Sequence, residues 1–315
     1  MEVLIVGAGI IGTVYGWAFA EGGVNVTHLV RLDRMEGLKG GVMMDVLDER
    51  KGHLKHNRTS YAMRTVTEVG PGDRYDVVIV PTNSYQLAPA LAELAPKLPN
   101  ATFILMSLNW VDGEYERPEL PIGRYFWGYP DGGGTVRNGA YWTNLGPELH
   151  LQKEAAGSPA VTELLRSADL SGDYQENMKH WIWVHNAGST PIWMAFLQAG
   201  NMATFLRDKR LLNQSLDATG EVLALLRKRG VRLDDYPDVA MLERNTAFIR
   251  LMMKILYRFN KSMQRYTAHA LGGREEAIAN YRQIMSTARE LGYDMPIMGE
   301  LGRALGIMEQ SNPGA

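Results

Sequence analysis

The sequence predicts an α/β domain followed by an all-helical one, and three observations predict it. Short apolar runs alternate with helical segments through the first half, three glycines follow the first such run, and the strand signal disappears in the second half. At 315 residues the chain exceeds a typical single domain, so two domains are expected.

The chain opens MEVLIVGAGIIGTVYG, where residues 3–6 read as a buried strand and 10–23 as a helix ending at a glycine pair. Residues 24–30 read as a second strand, and 75–81 and 101–108 as two more, separated by a helical segment over 87–98. Uninterrupted Val/Ile/Leu strands alternating with helices imply parallel strands covered on both faces. Between 124 and 151 the texture changes to a hairpin or small antiparallel addition around the glycine turn 132–134. Segments 174–187, 191–207, 214–229, 240–270 and 274–291 then carry helical periodicity, with breaks at glycines and Pro237. The polar stretch SADLSGD (167–173) marks the boundary, giving domains over 1–168 and 169–315. A crevice between them is the default site.

Gly7, Gly9 and Gly12 fit G-x-G-x-x-G after a strand and at the opening of a helix. The first glycine allows a tight turn, the second lets backbone approach a pyrophosphate, and the third permits close helix–strand packing. With Ala8, Ile10 and Ile11 between them, their amides and the positive helix end favour phosphates. The first domain is therefore expected to be a Rossmann dinucleotide-binding domain. An NAD site carries an acid at the end of the second strand, to bind the ribose 2′-hydroxyl. Here Arg31 stands in that place, with Arg34 close by, and a guanidinium suits the 2′-phosphate of NADP(H). The other reading leaves Asp33 to bind the ribose.

Composition narrows the function. A net charge of -2 gives no electrostatic case for nucleic acid or an anionic membrane. Cysteine is absent, which excludes disulfides, thiolate metal sites and a cysteine nucleophile. No apolar run approaches the roughly 20 residues of a membrane span, and Glu2 with the glycines argues against a signal peptide. A cytoplasmic protein is expected.

The sequence resembles the ketopantoate reductase (2-dehydropantoate 2-reductase) family over nearly its whole length. The resemblance is carried by GAGIIG, the Arg31 strand end, PTNSYQ (81–86), SLNWVDG (107–113), MKHWIWVHNAGSTPIW (178–193), KSM (261–263) and REEAIANY (274–281). It implies a Rossmann domain before an all-helical domain for substrate and dimerisation, and NADPH-dependent reduction of a 2-keto acid. It implies a lysine general acid at Lys179, with Glu276 as the family glutamate that also meets the cofactor. Asn109 matches the family asparagine after the fifth strand, for cofactor and substrate, and Ser262 the family serine. Asn83 stands in the cofactor loop where the family pattern K-A-Y-Q has lysine. Two asparagines that follow the family lysine at four and eight residues are here Trp183 and Ala187, which argues against ketopantoate itself.

Reducing a ketone needs a positioned hydride and stabilisation of charge growing on oxygen. An ammonium at Lys179 can stabilise and then protonate that oxygen, with a carboxylate such as Glu276 orienting it. At about 100° per residue, Asn186 and Thr190 fall roughly 20° to either side of Lys179 around a continuous helix, and Trp183 shares the stripe. Asn186 is thus a substrate-binding candidate. Trp183 either adds an indole suited to a bulkier substrate or packs between helices with Trp181 and Trp193. His53 and His56 in KGHLKHNR read as a solvated basic loop and not a metal pair, and no metal site is expected. The Met-rich 251–259 reads as core or a homodimer face. Two other functions share these features: an imine or opine-type reductase, and a non-catalytic sensor of NADP.

Overall fold

The computed structural model describes residues 1–244 and 247–307 and divides into two compact units, Met1–Lys179 and His180–Ala315. The first contains β1 (Glu2–Val6), α1 (Ile10–Glu21), β2 (Asn25–Leu29), α2 (Leu32–Leu38), β3 (Val42–Asp48), β4 (Lys55–Tyr61) and β5 (Arg64–Val66). It continues through β6 (Val77–Val80), α3 (Ser84–Leu94), β7 (Thr102–Leu105), β8 (Tyr125–Arg137), β9 (Ala140–Gln152), α4 (Pro159–Ser167) and β10 (Ser171–Gln175).

Among the described residues the strands form one ten-stranded mixed sheet ordered β4-β3-β9-β8-β7-β6-β1-β2-β5, with β10 beside β9. The run β5-β2-β1-β6-β7-β8 is parallel throughout. Taken in chain order it is the 3-2-1-4-5-6 order of a Rossmann sheet. Every residue of β6 (VVIV) and β7 (TFIL) is buried, as strands covered on both faces require. The order reverses at β1, which lies between β2 and β6, and ligands of such sheets bind outside the carboxyl ends of the strands at that point.

The remaining strands extend this frame. β8 leaves β7 after Trp127 and folds back on β9 as the expected antiparallel hairpin. β3 adds parallel to β9 and antiparallel to β4, so residues 51–54 of KGHLKHNR form an exposed turn, as expected, and from Lys55 on the segment is strand. His56 lies on β4 and bonds Asp45 Oδ1 across the hairpin at 2.7 Å, while His53 bonds the Lys51 carbonyl. β4 escaped the sequence reading because its exposed face carries Lys, His and Arg, which breaks up the apolar signal. The unit boundary also falls later than expected. β10 pairs in register with β9, so the polar stretch ends on the first unit's sheet, and that unit runs to Lys179 and not to 168.

Helix α1 is buried almost continuously from Gly12 to Phe19 and packs against β8 and β9 as well as β1 and β2. Its carboxyl end is fixed by Arg50, whose side chain is 4% exposed. Arg50 donates to Asp48, to Glu21 at 3.0 Å and to the Ala168 carbonyl at 2.9 Å, and stacks over Trp17. Burial pushes the Asp48 carboxyl up, but the Arg50 guanidinium overrides it and holds Asp48 below the usual carboxylate range.

The second unit is helical: α5 (Met178–Ala199, starting two residues before the division), α6 (Met202–Arg207), α7 (Lys209–Lys228), α8 (Pro237–Ala240), α9 (Ala247–Phe259), α10 (Lys261–Gly272), α11 (Arg274–Glu290) and α12 (Pro296–Ala304). α5 runs unbroken through Gly188 and Pro191, where two segments were expected. The single helix expected over 240–270 is instead α8, a short 3₁₀ turn, α9 and α10; residues 245 and 246 lie outside the described residues. Asn260 separates α9 from α10 and caps the latter, its Oδ1 accepting the Met263 amide at 2.9 Å. Glu221 on α7 accepts the Ile297 and Met298 amides at the start of α12, joining the two helices. Among the described residues no helix is long and apolar enough to cross a membrane.

Candidate active site

The three glycines each meet the need read from the sequence. Gly7 adopts φ +91°, the left-handed turn that a side chain disfavours, and its amide donates to the Leu29 carbonyl at 2.7 Å. A Cβ at Gly9 would meet nothing within 4 Å, so the backbone there stands open to an approaching group. A Cβ at Gly12 would lie 3.0 Å from Ile5 Cγ2 and 3.2 Å from the Gly7 carbonyl, so its absence lets α1 sit on β1. Gly9 is the N-cap of α1, no side chain caps the helix, and its first turn holds no acid. Its first amides therefore remain available to an anion.

Below this turn is a buried histidine. A carbonyl only accepts, so His28 carries its proton on Nδ1, which donates to the Gly7 carbonyl at 2.9 Å. Nε2 then accepts from the Tyr61 hydroxyl at 3.0 Å, and the Tyr141 hydroxyl donates to the Ala8 carbonyl at 2.9 Å. Burial lowers the His28 pKa to about 4, against an opposing pull from Gly7.

The glycine turn opens on a cleft of about 560 Å³ that lies wholly within the first unit. Gly7, Ala8 and Gly9 line it together with Arg31, Arg34, Thr67 and Thr82, and with Gln86, Ala90 and Glu93. Ile10, Ile11 and Gly12 form the first turn of α1. Arg31 is the N-cap residue of α2 and its side chain is 80% exposed, 3.6 Å from Asp33. Asp33 is not among the lining residues, and neither is Asn83, whose amide donates to the Tyr85 hydroxyl at 2.8 Å. The sequence reading missed Thr67, Thr82, Gln86, Ala90 and Glu93. The last three recur on one face of α3, a spacing that was available to find them.

The loop after β7 carries the next group. Asn109 is 1% exposed, and neither its side-chain oxygen nor its nitrogen has a hydrogen-bond partner. A buried amide left in this state is costly unless a ligand satisfies it. Its backbone is fixed: the Tyr115 hydroxyl donates to the Asn109 carbonyl at 2.6 Å, and Trp127 Nε1 donates to the Tyr115 carbonyl at 2.9 Å. Ser107 Oγ donates to the Thr82 carbonyl at 2.5 Å, which ties this loop to the cleft wall. Lys179 Nζ donates to Asp112 Oδ1 at 2.7 Å. Within the first unit, the carboxylate against Lys179 is thus Asp112, which the sequence reading had not singled out.

Asn186, Ser262 and Glu276 belong to the second unit. Asn186 is fully buried on α5; its Oδ1 accepts from the Thr190 hydroxyl at 2.6 Å, and its Nδ2 has no partner. Ser262 is half-buried in the first turn of α10 and is spared the capping task, which Asn260 performs. Glu276 is half-buried in the first turn of α11. Trp183 is 1% exposed, packed between His180 and the Arg229 guanidinium. This burial accords with the indole packing within the second unit. Trp181 stacks on His185 in the same way.

A dinucleotide fits the first unit's cleft: an open turn at Gly9, uncapped amides and two guanidiniums meet there. Residues 3–119 match the family model of ketopantoate reductase PanE/ApbA. The 2-dehydropantoate 2-reductase of Pyrococcus horikoshii is 27% identical over 246 residues, which cover 75% of this chain and 77% of that one. A D-mandelate dehydrogenase solved with NADH and anilino(oxo)acetate superposes with a TM-score of 0.73 at 16% identity, over 97% of each chain. A dimeric ketopantoate reductase from Staphylococcus aureus superposes with a TM-score of 0.65 at 13% identity, over 98% of this chain and 99% of that one. At such identities the superpositions establish the fold.

The buried histidine gives a pH dependence whose sign is fixed. Its folded pKa of about 4 lies below the unfolded value of about 6.5, so on acidification the unfolded chain takes the proton first. Its contribution to stability is intact above about pH 6.5 and is lost progressively towards pH 4, on the order of 3 kcal/mol in all. Urea unfolding across this range should show a wild-type slope that His28→Gln lacks. Parallel curves for the two proteins would contradict the assignment.

Proposed function

From the premise that the chain is a divergent relative of the ketopantoate reductases, we propose that it is an NADPH-dependent reductase of a 2-keto acid or a related carbonyl compound. The single observation that carries this reading is the pair of features on one unit: an anion-ready glycine turn in its cleft, and an ammonium, Lys179, at its carboxyl end. A nicotinamide dinucleotide held in this cleft would supply the hydride that reduces the carbonyl carbon. The chain's own residues supply the rest. Amides of the Gly7–Gly12 turn hold the diphosphate, and the unsatisfied amide of Asn109 binds the nicotinamide carboxamide or the substrate. Lys179 Nζ stabilises charge at the carbonyl oxygen and gives it a proton, which completes the hydroxyl. Asn186 and Ser262 bind the substrate, and Glu276 completes the site on the second unit.

Arg31 and Arg34 support NADPH over NADH, because both line the cleft and Asp33 does not. Among the described residues, neither guanidinium has a carboxylate closer than the 3.6 Å contact of Arg31 with Asp33. A homodimer is supported by α9, where Phe248, Leu251, Ile255 and Phe259 recur on one face and are all exposed. The exposed stripe exceeds what scattered surface apolar residues account for, and the Staphylococcus aureus relative is described as dimeric.

Lys179→Ala should slow NADPH oxidation by a turned-over 2-keto acid about 10²–10⁴-fold while NADPH binding is retained; an unchanged single-turnover rate would remove Lys179 as the acid. Replacing Arg31 and Arg34 together by alanine should weaken NADPH binding about tenfold or more and leave NADH binding nearly unchanged, as read by fluorescence titration. Equal losses for both cofactors would refute the 2′-phosphate assignment. Ile255→Glu should convert a dimer to monomer in light scattering; an unaltered dimer would place the interface elsewhere.

A further inference from the structure

We propose that Asp112 is a positioning residue that orients the Lys179 ammonium, an inference that rests on the reading of Lys179 as proton donor. The contact is a charge-assisted hydrogen bond of 2.7 Å between Lys179 Nζ and Asp112 Oδ1, joining residues 67 apart in the chain. Lys179 and Asp112 side chains are 34% and 67% exposed, and ion pairs this open add little to stability. Its consequence is geometric. A lysine has a flexible four-carbon stem, and an amine that must meet one oxygen gains from being held in one direction.

The surroundings make Asp112 suited to that task. It begins a short 3₁₀ turn, Asp112–Glu114, on the loop that carries Asn109. That loop is braced at both ends: Tyr115 bonds the Asn109 carbonyl and packs its tilted ring against Trp127, and Ser107 bonds the wall of the cleft at Thr82. A carboxylate on a fixed loop therefore reports the position of the cleft to the amine. Two first-unit carboxylates close to Lys179 in sequence have other partners. Glu176 is held by Lys153 at 2.7 Å, and Asp173 by His150 at 2.7 Å. Lys179 also lies in the first turn of α5, where the helix dipole disfavours a cation. The Asp112 charge offsets that disadvantage and keeps the ammonium at the helix entrance.

The test compares Asp112→Asn and Asp112→Glu with the wild type. Trinitrobenzenesulfonate labelling of the folded protein, quantified by peptide mass spectrometry, reads Lys179 directly and needs no substrate. In Asp112→Asn the labelling rate of Lys179 should change severalfold, with Lys153 unchanged as internal control and Asp112→Glu close to wild type. With a 2-keto acid that the wild type reduces, Asp112→Asn should lower kcat about tenfold to a hundredfold. NADPH affinity should stay at the wild-type value, and Asp112→Glu should recover part of the loss. Identical Lys179 labelling in wild type and Asp112→Asn overturns the proposal, and so does an unchanged kcat where Lys179→Ala is impaired. If Lys179→Ala is itself fully active, the general-acid reading fails; a changed labelling rate then still establishes Asp112 as what holds the amine.

Discussion

The structure depends on how closely α1 approaches β1. With a Cβ at Gly12, the helix start would press on Ile5 and on the Gly7 carbonyl, and α1 would have to move off the strand. That approach sets where the first helical amides point, and so whether an anion beyond β1 can reach them. The left-handed Gly7 makes the chain reverse in time for this, and its amide pins the reversal to the end of β2. The strand order then matters because it brings the ends of β2, β5 and β6 around the same turn. A Rossmann sheet without this contact would have a switch point and no anion seat.

Holding a glycine turn in place is itself a problem, because glycine loses more conformational freedom on ordering than any other residue. Three side-chain bonds compensate: His28 to Gly7, Tyr141 to Ala8, and Tyr61 to His28. The choice of a neutral imidazole is consistent with its surroundings. A buried cation below the turn would be costly to desolvate, and burial keeps His28 uncharged down to about pH 4. Positive potential at the cleft comes instead from backbone amides and from the exposed guanidiniums of Arg31 and Arg34. Gly16 belongs to the same arrangement, since a Cβ there would lie 2.5 Å from His28 Nε2.

Much of the first unit was legible because its central strands are apolar without interruption and its glycine spacing has a local cause. β1, β6 and β7 and the β8–β9 hairpin fall where periodicity put them. β3, β4 and β10 do not announce themselves: their identity comes from neighbours far away in sequence, and segments such as KHNRTSY and SGDYQ carry no buried face of their own. The site shows the same division. Gly7, Gly9 and Arg31 were readable because motif and geometry coincide locally. Thr67 and Asp112 were not, because each acquires its place only when separate loops are brought together. Trp183 shows the converse error, in which a helical stripe is correct but cannot say which of its members face inward.

The loop after β7 carries a buried amide whose backbone is held from both sides. Asn109 is carried with both polar atoms unsatisfied although the protein has the means to satisfy them, since a small rearrangement or an alanine would remove the penalty. Tyr115, Trp127 and Ser107 instead fix the backbone on either side and leave the amide itself unoccupied. A buried amide without a protein partner carries a cost that a ligand or an ordered water relieves. The same loop carries Asp112 to Lys179, so one braced segment presents an amide and orients an amine. That division of labour asks nothing of positions 183 and 187, where the family asparagines are missing. Trp183 and Ala187 are both buried in the second unit, where the Thr190 hydroxyl donates to Asn186 one turn back along the helix.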